Sequence, residues 1–464
     1  HFTIGRSKML KHKITQEEKF QMMTTAPIPS LIGKMAVPTI ISMLITSIYN
    51  IADTFFVSRL GTSATASVGI VFPVMAIIQA LGFFFGHGSG NSISRRLGAK
   101  DTERAEQLAG IGFFSAFLCG LCVTVLGLLF LEPLSLLLGS TSTILPYTKD
   151  YLGIILLGAP YMTAQLVLNN QLRFQGNAFY AMIGITSGGI LNIFLDPLFI
   201  FKFNTGVSGA ALATILSQFV SFLLLLWGIK ISGCIPLKLK SMKYLKYNLK
   251  IIAQGGLPSL FRQGLGSISI LALNLAANPY GDAAIAAMSI VSRISQFAIS
   301  ALIGFGQGFQ PVCGFNYGAK KFSRVREAFW FCVKVSTVVL IFIGITGFLF
   351  AGSLISVFRK DDLQVIVIGT VALRMQCVAL PLSGWVIMNN MMTQTIGKTF
   401  KASLLAAARQ GIFFVPAVLV LPPLLGILGI QMAQPVADIC AFLLAVVINR
   451  SIMKEMKEEE KAYE

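Results

Sequence analysis

Hydrophobic residues run in long stretches separated by short polar breaks, and this pattern fills the chain from about residue 30 to about residue 452. The stretches fall near 30–56, 62–88, 107–131, 147–172, 178–201, 207–232, 249–277, 283–309, 326–350, 363–390, 400–422 and 427–452. An α-helix rising about 1.5 Å per residue needs roughly 20 such residues to cross a bilayer core. The pattern therefore predicts twelve transmembrane helices. Gly and Pro inside them are no objection, because neighbouring helices re-satisfy the backbone groups they free.

Composition narrows the class. Only 12% of residues are charged and the mean hydropathy is +0.75, whereas a soluble domain carries about 25% charged residues. The fold class expected is an all-α integral membrane protein. The net charge of +18 lies between apolar spans, so it makes no basic face for nucleic acid. Termini and even-numbered loops hold 26 Lys and Arg, against five in the odd loops (Arg59, Lys149, Lys202, Arg359 and Lys360). By the excess of basic residues in cytoplasmic loops, both termini are expected in the cytoplasm. The first 27 residues are polar and carry Arg6, Lys8, Lys11, Lys13 and Lys19, which is not the pattern of a cleavable leader.

A repeat organises the spans. At a constant offset of 220 residues, Pro38 maps to Pro258, Gly61 to Gly281, Gly86 to Gly306, Gly88 to Gly308, Gly98-Ala99-Lys100 to Gly318-Ala319-Lys320, and Asn169-Asn170 to Asn389-Asn390. Six spans separate the copies, so both enter the membrane from the same side. Two pseudo-symmetric six-helix bundles are expected at 28–232 and 249–453. A tail at 1–27, a basic linker at 233–248 and a charged tail at 454–464 complete the expected division. That architecture belongs to rocking transporters with a cavity between their halves. An enzyme is not expected, since three His (His1, His12 and His87) are too few for a catalytic cluster.

Two acids break the apolar pattern: Asp53 in SMLITSIYNIADTFFV and Asp196 in GGILNIFLDPLFIF. A carboxylate at the centre of a spanning helix costs about 2.5–3.5 kcal/mol even on the lenient insertion scale, so it persists with a partner or a proton. Neither acid is repeated: Asp53 maps to Leu273, Asn192 to Ile412, Asp196 to Pro416 and Thr214 to Gln434. The second half instead carries the intramembrane bases Arg262, Arg293, Arg374 and Arg409. Tyr49 and Asp53 are four residues apart, as are Asn192 and Asp196, so each pair shares a helix face. Asp196 precedes the turn near 205 by nine residues and Thr214 follows it by nine, which puts both about 13 Å deep on antiparallel neighbours. Asp53 is expected about 10 Å deep. All five groups then fit one oxygen-rich pocket, suited to a small hard cation such as sodium at Asp53, Asn192, Asp196 and Thr214, or equally to protons. No tightly bound metal is expected. Pro197 removes a backbone hydrogen bond beside Asp196 and is expected to bend its helix; Pro38 is expected to do the same in the first span.

On these residues the chain resembles the MATE (multidrug and toxic compound extrusion) family over nearly its whole length. YNIADTFFVSRLG resembles that family's first helix; RRLGAKD and its echo NYGAKKF resemble the paired ends of the second and eighth. LNIFLDPLFIF followed by GVSGAALAT resembles the fifth and sixth helices of the DinF-like branch, and the wording is nearest the MepA-type exporters of bacteria. In that branch the positions of Tyr49, Asp53, Asn192, Asp196 and Thr214 form the cation site of the first lobe. The NorM-like branch places acids in helices seven and ten, where this chain reads GLPSLFRQGLG and carries Arg374, so no ion site is expected in the second lobe. The resemblance implies an antiporter in a bacterial cytoplasmic membrane, a monomer exporting bulky, often cationic amphipaths in exchange for protons or sodium. The alternative within the same superfamily is a flippase for lipid-linked oligosaccharides, which the second-half arginines favour.

The remaining candidates are less specific. Met162, Asn170, Arg173, Arg262, Gln263 and Met391 are expected to line the substrate cavity. His87, among glycines, is expected to pack a helix end, and Cys119 and Cys122 to be buried thiols rather than a redox pair. Gly397-Lys398-Thr399 lacks the earlier glycine of a phosphate loop, Met392 standing there. No cofactor is expected.

Overall fold

A computed structural model describes residues 15–463; His1, Arg6, Lys8, Lys11, His12 and Lys13 lie outside the described residues. Among the described residues, twelve helices are long and apolar enough to cross a membrane: Ile28–Ser58, Thr62–Gly98, Thr102–Leu129, Leu145–Phe174, Ala178–Lys202, Gly206–Ile231, Leu239–Tyr280, Asp282–Gly318, Phe322–Leu349, Leu363–Thr395, Thr399–Leu425 and Ile427–Tyr463. They are called spans 1 to 12 below. Among the described residues there is no strand.

Spans 2 and 8 outrun the apolar pattern by about ten residues, ending at Gly98 and Gly318. The reason lies in the small polar side chains that lower hydropathy there. Ser89 Oγ donates to Phe85 O at 2.6 Å and Asn91 Nδ2 to His87 O at 2.8 Å, so these groups satisfy themselves on their own helix. The repeated Gly-Ala-Lys then ends both helices in the same way. Lys100 and Lys320 take left-handed backbone, with φ of 59° and 61°. The next N–H groups reach back to Arg96 O at 2.8 Å and Asn316 O at 2.9 Å, closing a Schellman cap at each.

Two bundles follow the repeat. In the first, span 4 packs against spans 2, 3 and 6; in the second, span 10 packs against spans 8, 9 and 12. The short helices Leu131–Leu137 and Ala351–Phe358 begin at repeat-equivalent positions. The bundles meet through span 1 against span 8 and span 2 against span 7. This seam lies where glycine permits backbone contact: a Cβ on Gly255 would sit 3.1 Å from Gly88 Cα, and one on Gly304 would sit 2.7 Å from Ile40 Cα. Thr39 Oγ1 donates across it to Gly304 O at 2.6 Å. The seam closes the end at which span 1 begins and span 12 finishes.

Both ends of the described chain lie there too. Residues 454–463 continue span 12 as helix, with Tyr317 Oη donating to Glu459 Oε2 at 3.1 Å and Arg326 paired with Glu460 at 2.6 Å. Ahead of span 1, a helix over Gln16–Thr25 starts from a capping box of Thr15 and Glu18. It straps the bundles together. Lys19 Nζ donates to Gly233 O at 3.1 Å and Glu17 pairs with Lys100 on the first bundle's side. Asn316 donates to Met23 O at 2.9 Å and Arg324 to Ala26 O at 2.7 Å from the second.

Candidate functional site

Asp53 and Asp196 come from spans 1 and 5, which pack directly. Gly189 makes that approach possible: a Cβ there would stand 3.1 Å from the Tyr49 ring. The two carboxyl groups lie near one another, yet as two carboxylates neither has a donor to give. Asp53 Oδ1, both oxygens of Asp196 and both polar atoms of Asn192 are buried without a hydrogen-bond partner. An apolar interior rarely leaves so many polar atoms unmatched in one place. Chemically, such a set can hold a shared proton or coordinate a cation.

Tyr49 lies beside Gln218 as well as Asp53, and Tyr151, fully buried, faces both acids. Gln218 and Tyr151 were not singled out from the sequence; Gln218 follows Thr214 by one helical turn, which is a signal that was available. Thr214 is buried, but its hydroxyl donates to Ala210 O at 3.0 Å on its own helix rather than to an acid. Directly after Pro197 the helix widens into a π-turn over Leu198–Lys202, with Phe203 N–H reaching Leu198 O at 3.1 Å. Such turns absorb an interrupted hydrogen-bond ladder and often mark functional sites. Pro38 sits inside span 1, near the seam.

A cavity of about 550 Å³ lies between the bundles. Met162, Arg173, Arg262, Gln263 and Met391 line it. Asn170 does not; Asn169 does, while Asn170 is buried behind it and accepts from Arg173. Asp53 and Asp196 are also absent from the lining, whereas Tyr49 and Gln218 belong to it. Those two side chains stand as a partition between the acid pocket and the central space.

Two further expectations are corrected. His87 is not a helix-end packing residue, because span 2 continues past it. Its ring lines the cavity, stacks on Phe83 at 5.3 Å, and meets Ser259 Oγ at 3.0 Å and Arg173 at 3.5 Å. Cys122 is exposed on the outer face of span 3, and Cys119 is half-buried. The second bundle does hold a buried acid: Asp438 on span 12, 1% exposed, accepts from Arg409 Nε at 2.8 Å, Gln434 at 2.9 Å and Gln376 at 3.2 Å. A π-turn over Ala408–Ile412 carries Arg409 to it. Unlike the acids of the first bundle, Asp438 is already neutralised. Arg374 points away from the cavity, to Phe348 O at 3.3 Å.

The MatE family model matches residues 38–198 and again 258–419, in the register of the internal repeat. The chain belongs to the MatE family. Members of the MatE family are transporters, not enzymes, and this one is a multi-pass membrane protein of the bacterial kind. It is 30% identical to the multidrug export protein MepA of Staphylococcus haemolyticus (strain JCSC1435), over 89% of this chain and 91% of that one. Among solved structures it is similar to a multidrug resistance MATE family transporter in its outward-facing conformation, with a TM-score of 0.90 and 27% identity over 95% of this chain and 99% of that one. It is also similar to a MOP superfamily transporter from Pyrococcus furiosus Vc1 (DSM3638), for which reverse polarity of the binding pocket suggests a different function, with a TM-score of 0.88, 27% identity and the same coverage.

Proposed function

We propose that the chain is a secondary active multidrug exporter, working as a monomer, that exchanges amphipathic compounds for protons or sodium ions. The observation that carries this reading is the pairing of two sites. A cavity between the bundles is large enough for a small amphipath, and beside it lie the half-buried Asp53 and the fully buried Asp196, with Asp53 Oδ1 and both Asp196 oxygens lacking a hydrogen-bond partner. If the termini are cytoplasmic, as the basic loops indicate, the closed seam is the inner gate and the cavity opens outward.

In this state a proton or sodium ion enters the pocket of Asp53, Asn192 and Asp196 from outside and neutralises it. Neutralisation removes the repulsion between the two carboxylates where spans 1 and 5 meet, and the π-turn after Pro197 gives span 5 a place to bend. Tyr49 moves with span 1, so the change reaches the cavity wall. Substrate leaves outward, and the bundles rock.

The test is reconstituted efflux under an imposed pH gradient and, separately, an imposed sodium gradient. Efflux driven by one of them supports exchange and names the ion; efflux driven by neither removes the antiporter reading. The arginines of the cavity favour a second reading, a lipid-linked oligosaccharide flippase, and complementation of a flippase-deficient strain separates the two.

A further inference from the structure

The interlobe cavity carries a charge pattern that ion exchange does not use. Arg173, Arg262, Arg293 and Arg409 line it, and among the described residues no Asp or Glu does. Arg409 is neutralised from behind by Asp438. The other three have no ion pair. Arg173, 1% exposed, rests on neutral acceptors: Gln307 O at 2.6 Å, Gln310 Oε1 at 3.2 Å and Asn170 Oδ1. Its Nε is buried with no partner. Arg262 is held by Asn390 Oδ1 at 3.0 Å and Ser259 Oγ at 3.4 Å. Arg293, on span 8, makes no hydrogen bond to any described residue and projects into the open space.

Neutral acceptors fix a guanidinium in place without discharging it. Two guanidinium groups held in place, with the unheld Arg293 on the same cavity, have an unmet demand for an anion, and guanidinium is the side chain whose geometry best matches carboxylate and phosphate oxygens. Arg173 and Arg262 also repel one another across the cavity, a strain that an anion between them relieves. Apolar surface adjoins them at Phe83, Leu166, Ile299 and Ile303.

We propose that this cavity selects amphipathic anions. A carboxylate, sulfonate or phosphate head accepts from Arg173, Arg262 and Arg293, while the apolar body lies along Phe83, Leu166, Ile299 and Ile303. The inference rests on the reading of the cavity as the substrate route, and it departs from the cationic cargo that the family resemblance implies. It also has an energetic corollary: an anion moving out against a cation moving in carries net positive charge inward, so an inside-negative potential assists export.

The experiment is equilibrium binding to the purified full chain of a dansylated long-chain fatty acid, its neutral amide and the matching amine. The acid is expected to bind at least about tenfold more tightly than the amine, with a preference that shrinks as salt rises. Arg262→Gln and Arg293→Gln should each weaken the acid about tenfold and leave the amide unchanged, and Arg293→Lys should keep most of the acid's affinity. Displacement by unlabelled polyprenyl phosphate at lower concentration than by a soluble acid assigns the head group to a lipid; the reverse assigns it to a free acid. Equal or tighter binding of the amine by the unmodified protein overturns the proposal, even if the arginine variants fail to fold. Binding of none of the three overturns both the proposal and the cavity as substrate route. Failure of the ion-gradient experiment alone leaves the binding result standing.

Discussion

Arg409 Nε meets Asp438 Oδ1 at 2.8 Å, so the second bundle contains its own counter-ion where the first bundle contains none. In the repeat register Asp438 stands where the first bundle has Gln218. The two bundles thus use one equivalent position to opposite ends: in one an acid closes an ion pair, in the other a neutral glutamine stands beside the acid pocket.

Removing one partner of a buried pair leaves the other uncompensated. Asp438→Ala should therefore destabilise the protein by about 3–5 kcal/mol, while replacing both residues together with apolar ones of similar volume should restore most of that loss. Thermal unfolding in detergent followed by size-exclusion chromatography reads both. A double variant no more stable than Asp438→Ala alone would mean that the pair's environment, not its charge, is what matters.

Asp53→Asn and Asp196→Asn remove the charge from the open pocket and keep its shape. Gradient-driven efflux should fall about tenfold or more in each, whereas equilibrium binding of substrate in the cavity should change by less than about twofold. The separation is expected because neither acid lines the cavity. Unchanged efflux in both variants would sink the coupling role.

Gly304 faces backbone across the seam, and backbone cannot swing aside. Gly304→Val should hold the closed end apart and shift the population towards the alternative state. Pulsed-EPR distances between labels at Lys34 and Lys320 should lengthen; an unaltered distribution would show that the seam accommodates bulk.

The strap helix contributes a pH dependence of its own. Burial of Lys19 among uncharged groups pushes its amine below the ordinary lysine value. A docked strap therefore binds protons less readily than a free one. Docking is weakest where both forms are protonated and strengthens as pH rises from the lowered value towards the ordinary one. The hydrogen-exchange protection factor over residues 16–25, taken relative to the intrinsic rate at each pH, should rise across that alkaline range, and Lys19→Met should flatten the dependence. Exchange that quickens with pH beyond its intrinsic base catalysis would contradict the sign.

Much of this arrangement is legible in the chain. Asp53 and Asp196 stand out because hydropathy makes a lone acid conspicuous, and the repeat isolates them by having no counterpart for either. Asp438 was equally conspicuous by that criterion. Its arginine partner is not legible, since buried arginines here also rest on neutral acceptors, as Arg173 does, but Gln434 one turn earlier marks the same polar face. The ends of spans 2 and 8 were lost for another reason. Ser and Asn that bond to their own helix look like loop residues to any hydropathy window. Whether Asn169 or Asn170 faces the cavity was beyond reach, since adjacent residues on a helix differ by 100° and nothing in one sequence sets the rotation.

The glycine seam has a mechanical consequence. Where Gly88 meets Gly255 and Gly304 meets Thr39 and Ile40, the gate is built of Cα hydrogens and carbonyls rather than interlocked side chains. At those contacts no rotamer has to be unpacked, while the apolar side chains beside them, such as Ile32 and Met35 of span 1 and Phe309 and Val312 of span 8, are uncovered when the seam parts. The two bundles re-seat in the same register every cycle, because only at a glycine is there room for the opposing backbone.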